Sequence, residues 1–175
     1  MRAVFLGLAL AATLSLAVAD TGGGIKWTPP AEWKTQGERP MRVATYTIPA
    51  AKGDSEAGEL AVFYFGPGQG GGVEANIDRW IGQFEQPDGK PSKALAKRQK
   101  RTINGLPVTT IDLPGTYMAS AGPMAPTKTS KPGYRLLGAI VEGPQGAVFF
   151  KLTGPAKTVA ASEAAFEKML NSVSR

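Results

Sequence analysis

The chain has 175 residues, with 20 basic against 14 acidic side chains, a net charge of +6, and neither cysteine nor histidine. That composition excludes disulfides, thiolate metal sites and a cysteine nucleophile, and it removes the histidine that hydrolase triads and zinc centres of the usual kinds rely on at neutral pH. The moderate positive charge favours contact with acidic surfaces or polymers and assigns no nucleic-acid role.

The N-terminus reads as a secretory signal peptide. Met1-Arg2 is a short positive region, Ala3–Leu16 is an uncharged apolar run, and Ala17-Val18-Ala19 places small residues where a signal peptidase inspects them. Cleavage is expected before Asp20, which makes residues 1–19 the signal. The mature chain then has no transmembrane span, since the apolar run is too short for a bilayer crossing and no stop-transfer segment follows it. Localisation is expected to be periplasmic or secreted. Residues 20–24 are expected to be a flexible tail, and 25–175 a single domain.

In chain order, Ile25-Lys26-Trp27 predicts a short strand and Pro29-Pro30 with Trp33 an aromatic-proline corner, both tryptophans being read as core anchors. Met41–Ile48 is rich in β-branched and aromatic residues and is closed by Pro49, a strand. Glu59–Phe65 is the next, paired with it as an antiparallel hairpin. A loop with five glycines follows (Gly66–Gly72). From Val73 onward Ile77, Trp80, Ile81 and Phe84 form an apolar stripe at helical period, and Pro87-Asp88-Gly89 stops the helix.

Asn104-Gly105 marks a two-residue hairpin turn, because both central positions of a type I′ turn take positive φ. Ala96–Ile103 and Leu106–Leu113 are therefore read as paired strands. Pro114-Gly115 makes a bulge or kink before Thr116–Met118, and Ala119–Gly133 reads as a long loop. Tyr134–Glu142 and Ala147–Thr153 flank a Gly-Pro-Gln-Gly turn, and both are apolar on two faces, as a strand covered on both sides requires. Gly154-Pro155 opens a C-terminal helix with Pro at its start. The order β-β-β-α-β-β-β-β-α predicts an α+β fold: an antiparallel β-sheet flanked by helices, as an α/β/α sandwich.

Trp27, Pro29-Pro30 and Trp33 at the opening, with a last strand leading into a C-terminal helix, resemble the PsbP-like fold. Extrinsic PsbP proteins of photosystem II, a Ran-binding nuclear import factor and many uncharacterised secreted bacterial proteins share that fold. Tyr64–Gly71 (YFGPGQGG), Asn76 with Arg79-Trp80, and Tyr134–Pro144 (YRLLGAIVEGP) resemble more narrowly an uncharacterised exported bacterial family. The resemblance implies a binding or assembly module without shared catalytic residues, and it transfers no functional residue.

Within the chain, the Gly-rich loop ahead of a helix N-terminus has the ingredients of an anion cradle. Gly68, Gln69, Gly70, Gly71, Asn76 and Arg79 are the candidate ligand- or partner-binding residues. The competing reading is a plain strand-to-helix connection. Gly66, Gly68 and Gly71 fit a G-x-G-x-x-G spacing, but no βαβ unit surrounds them, and no Lys-Ser/Thr follows to make a Walker loop. Lys97-Arg98-Gln99-Lys100-Arg101 reads either as a grip on anionic polymers or as a solvated edge strand. No aromatic residue interleaves with it to stack on bases.

Asp54, Glu56 and Glu59 share a stretch without the spacing of an EF-hand. No metal or cofactor is implied. The expected function is a non-catalytic binding or assembly module of the cell envelope, whose partner is an envelope protein or anionic polymer. The alternative is a carboxylate-dependent hydrolase of envelope polymers or carbohydrate, drawing on Asp54, Glu56, Glu74, Asp78, Asp112 and Glu142.

Overall fold

The computed structural model describes residues 18–37, 39–120 and 127–175. The signal-peptide reading rests on residues that lie, up to residue 17, outside the described ones. Among the described residues no helix is long and apolar enough to cross a membrane. Strands β1 (Asp20–Gly22) and β2 (Ile25–Trp27) form a small hairpin. The main sheet is built from β3 (Lys34–Thr35), β4 (Arg42–Ile48), β5 (Gly58–Tyr64), β6 (Phe84–Glu85), β7 (Lys97–Ile103), β8 (Leu106–Ser120), β9 (Lys128–Gly143) and β10 (Gly146–Pro155). Helix α1 (Val73–Ile81) separates β5 from β6, and α2 (Ala156–Asn171) ends the chain.

The sheet is antiparallel, in the order β3-β4-β5-β10-β9-β8-β6, with β7 also lying against β8. The chain is thus α+β. The central strands behave as their two-sided apolar sequence requires: Leu136 to Val141, Gly138 included, is buried without interruption. Alternate residues enter different clusters. Leu136 and Ile140 join Phe149, Ile111 and Leu113 beneath α1, where Ile77, Trp80 and Ile81 point. Leu137, Ala139 and Val141 join Phe150, Trp27 and Tyr46 with Val159, Phe166 and Leu170 of α2. A β carbon on Gly138 would fall 2.5 Å from the Trp80 ring, so glycine is what lets the indole settle onto the sheet.

Both early tryptophans are core residues, Trp27 fully buried and Trp33 6% exposed. Trp27 meets the Phe150 ring edge-on at 5.1 Å and donates from Nε1 to the Tyr46 hydroxyl at 2.9 Å. Tyr46 in turn donates to the Asp20 carboxylate. Burial first, and the Asp20 contact second, push the Tyr46 hydroxyl far above the usual tyrosine range.

Three expectations need correction. Residues 20–24 are not a tail: β1 pairs with β2, and Gly23 is buried against Val148 and Tyr64. Helix α1 ends at Ile81, not near the Pro87 turn, because Gly82 caps it. Phe84 therefore leaves the helical stripe and enters the sheet as β6, opposite Tyr117. The loop expected over 119–133 is largely strand. β8 and β9 stay paired out to Ser120 and Lys128, past a register shift between Gly115 and Tyr117, and residues 121–126 lie outside the described ones.

The loop after β4 closes onto α2. Asp54 Oδ2 accepts from the Thr158 backbone N–H at 2.8 Å and from its hydroxyl at 2.7 Å, supplying an acceptor to the first turn of a helix whose Pro155 N-cap has none. At the other end, the Ser172 hydroxyl donates to the Met169 carbonyl and accepts from the Thr28 amide.

Candidate functional site

The structure gathers the six predicted site residues at one loop–helix junction and divides them by task. Asn76 is only 2% exposed. Its Nδ2 donates to the carbonyls of Gly70 at 2.8 Å and Gly72 at 3.0 Å, and its Oδ1 accepts from Arg79 Nη1 at 3.0 Å. The Nδ2 side of that amide holds the loop to the helix, and its Oδ1 side tethers Arg79 one turn further along the same helix. Gly70 adopts φ +88°, and a β carbon there would lie 2.7 Å from Phe65 and 3.0 Å from Phe149. Glycine at this position fits the loop against the core.

Gly68, Gln69 and Gly71 form the exposed crest. The Gln69 N–H turns back onto the Gly66 carbonyl at 3.1 Å, while Gly68 has open space around it. Arg79 is exposed beside the crest and tethered by Asn76.

The basic run of β7 faces two ways, because strand side chains alternate. On the α1 side, Arg98 and Lys100 both reach Glu74 in the helix's first turn, at 2.5 and 3.4 Å. The Arg98 contact is the main reason the Glu74 carboxyl is held below its usual range. On the α2 side, Arg101 meets Glu167 at 2.6 Å. One edge strand is thus pinned to both helices by ion pairs.

The candidate acids are dispersed in the same manner. Glu59 meets Arg42 at 2.8 Å, and Asp78 meets Lys93 at 3.1 Å. Glu56 takes hydrogen bonds from Lys131 and Tyr134, which lower its carboxyl. Asp54, Glu56 and Glu59, neighbours in sequence, thus turn to three different places. Among the described residues no group of three or more Asp or Glu side chains converges as a metal site.

Asp112 is clasped by Arg135 through two hydrogen bonds of 2.8 Å, and the same guanidinium reaches Glu163 at 2.9 Å. With Glu167, Lys97 and Gln99 these two acids line a groove of about 270 Å³ between β7 and α2.

Sequence reasoning passed over Lys151. It stands on β10 on the face that α1 covers only in part, where its sheet neighbours are the small Ala61 and Gly138. Its Nζ donates to Gln83 Oε1 at 2.5 Å and lies 3.3 Å from the Tyr117 hydroxyl. Burial pushes the ammonium down to about 8; the nearby Arg42 charge adds to that effect and Glu59 opposes it. Around it, Arg42 sits over Phe63, Lys151 over Tyr117 and Lys131 over Tyr134, each 5.0 to 5.9 Å from a ring centre. The sequence signal was a single lysine inside an otherwise apolar strand, AVFFKLT.

The solution structure of the cyanobacterial PsbP protein from Synechocystis sp. PCC 6803 superposes with a TM-score of 0.54, covering 95% of this chain and 98% of that one at 11% identity. The fold is PsbP-like. A Pseudomonas aeruginosa protein of unknown function, PA94, superposes with a TM-score of 0.51, covering 92% of this chain and 98% of its own at 13% identity. A scan against protein-family models and a search of curated proteins both find no match. At such identities the PsbP-like likeness is one of fold and transfers no site residue.

Proposed function

We propose that this chain is an exported, non-catalytic binding or assembly module of the cell envelope, an α/β/α sandwich of PsbP-like fold whose partner is an envelope protein or an anionic polymer. The observation that supports this reading most is the commitment of its carboxylates. Glu56, Glu59, Glu74, Asp78, Asp112, Glu163 and Glu167 each lie on a lysine or arginine. A general acid–base pair needs two groups facing one substrate bond with distinct protonation states. Carboxylates held on cations around the surface serve the fold instead. The contact surface we assign is the crest of Gly68, Gln69 and Gly71 with Arg79 beside it, where side chains and backbone are exposed and Asn76 provides a rigid base.

The hydrolase reading keeps one specific feature in its favour, the groove where Asp112 and Glu163 share Arg135. Incubating the purified 20–175 chain with isolated envelope polymer separates the two readings. A binding module retains the polymer at its original length. A hydrolase releases new ends, which Glu163→Gln abolishes; that result would overturn the proposal.

A further inference from the structure

Strand β7 has an open side. Among the described residues it pairs with β8 alone, and β6 takes its place further along the same edge of β8. The turn joining β7 to β8 has Asn104 at φ +49° and Gly105 at φ +78°, as a type I′ turn demands. In such a hairpin the flanking pair, Ile103 and Leu106, exchanges both backbone hydrogen bonds, and antiparallel pairs then alternate between bonded and unbonded. Counting back from Ile103, the backbone N–H and C=O groups of Arg98, Lys100 and Thr102 face outward. Lys97 to Lys100 and Thr102 are all exposed.

The charge along this edge is one-sided. Arg98 and Lys100 share a single carboxylate, Glu74, Arg101 has Glu167, and Lys97 has no ionic partner among the described residues. A shallow groove flanks the strand on each face. The one toward α1 is lined by Glu74, Arg98, Lys100 and Thr109, where cations outnumber acids. The one toward α2, with Lys97 and Gln99 facing Asp112, Glu163 and Glu167, has no such excess of cations.

We propose that the outer edge of β7 receives an acidic, extended segment of a partner protein as an added strand. This names a kind of partner for the module proposed above and rests on that reading for its setting. Main-chain pairing supplies the affinity of such an addition, and alternating side chains supply its selectivity. Acidic side chains at every second position enter the α1 groove and complete the neutralisation of Arg98 and Lys100. Neutral polar or small apolar side chains between them enter the α2 groove. Lysine and arginine on an edge strand deter pairing with a like strand, so the same charge that admits an acidic segment turns away a second copy of β7. An anionic polymer would satisfy the cations but leave the outward backbone groups of Arg98, Lys100 and Thr102 without strand partners.

The test uses an eight-residue capped peptide alternating Glu with Val, and the same peptide N-methylated at the amides that would face β7. Charge is identical in the two. Amide hydrogen exchange of the 20–175 chain is followed by NMR. The expected result is at least tenfold slower exchange at Arg98, Lys100 and Thr102 with the first peptide, at least tenfold weaker binding of the N-methylated one, and severalfold weaker binding of the first peptide to Lys100→Gln. Equal binding of both peptides would show contact by charge alone and overturn strand addition, as would binding without protection of those amides. If the full protein still retains an envelope partner in that case, strand addition fails while the binding-module reading stands.

Discussion

The Nδ2 of Asn76 lies 2.8 Å from the carbonyl oxygen of Gly70, six residues earlier in the chain. This one contact decides how the Gly-rich loop is built. The side chain that looks most ready to greet a ligand is buried beneath the loop and closes it. Replacing Asn76 by Ala removes two donated hydrogen bonds and strands the Gly70 carbonyl, while the Gly72 carbonyl keeps the backbone N–H of residue 76, so a loss of about 2–3 kcal/mol in chemical unfolding is expected. Gln69→Ala, on the exposed crest, should change stability by less than about 0.5 kcal/mol. Equal losses for the two would refute the division of labour within the loop.

Gly70 and Gly68 test the same division through the backbone. Both have positive φ, but a β carbon on Gly70 runs into Phe65 and Phe149, whereas one on Gly68 meets nothing within 4 Å. Gly68→Ala should cost about 1 kcal/mol, the strain of a left-handed alanine alone. Gly70→Ala should cost about twice that or more, because the packed rings must also move. Urea midpoints of the two variants measure the difference directly.

Lys151 gives the fold a pH signature. Its folded value near 8 lies below the unfolded value of about 10.4, so between those limits the unfolded chain binds more protons and stability rises with pH. The rise amounts to at most about 3 kcal/mol. Burial raises Tyr117 and Tyr46, and these work in the opposite direction, removing stability only as pH climbs above the unfolded tyrosine value near 10. Melts at pH 8 and pH 10 should therefore show a gain in the native protein. Lys151→Met should be more stable than the native protein at pH 7 and lose the slope; a slope that survives the substitution assigns it to other groups.

Glu74 is exposed, and its contacts with Arg98 and Lys100 are surface ion pairs. Glu74→Gln should leave the melting temperature unchanged and release both cations. Retention on a sulfated matrix should then increase, with the gain disappearing as salt is raised. Unaltered retention would mean that the basic strand does not govern contact with anionic surfaces.

Much of this architecture is legible in the chain, for local reasons. Val73 to Ile81 announces α1 by its apolar stripe, Asn104-Gly105 sets the β7–β8 turn, and Trp27 and Trp33 are the core anchors their size suggests. What escapes is decided by distant partners. The 119–133 stretch carries the Pro, Gly, Ser and Lys of a loop, and the bulge after Gly115 breaks its alternation, yet pairing across β8 and β9 makes most of it strand. Asp20–Gly22 is too short to declare itself, and becomes ordered because Gly23 packs on Val148 and Tyr64. Phe84 fits the helical stripe but is claimed by Tyr117 once Gly82 has ended the helix. At the candidate site, the glycines and the apolar stripe from Val73 mark where the loop meets the helix, but only the fold reveals that Asn76 faces inward. Nothing local to Lys151 indicates that Gln83, Tyr117 and Arg42 surround it.

We propose that the protein works by capture and that the crest of the Gly-rich loop contributes to it. The most direct test is quantitative affinity capture from the exported fraction of the native cell, with tagged 20–175 and its Gln69→Ala variant compared by mass spectrometry and polymer analysis. The expected result is one dominant protein or anionic polymer, recovered intact, depleted at least tenfold by Gln69→Ala at an unchanged melting temperature. Equal capture by both proteins would remove the crest from the site, and recovery of cleaved polymer would contradict the non-catalytic reading.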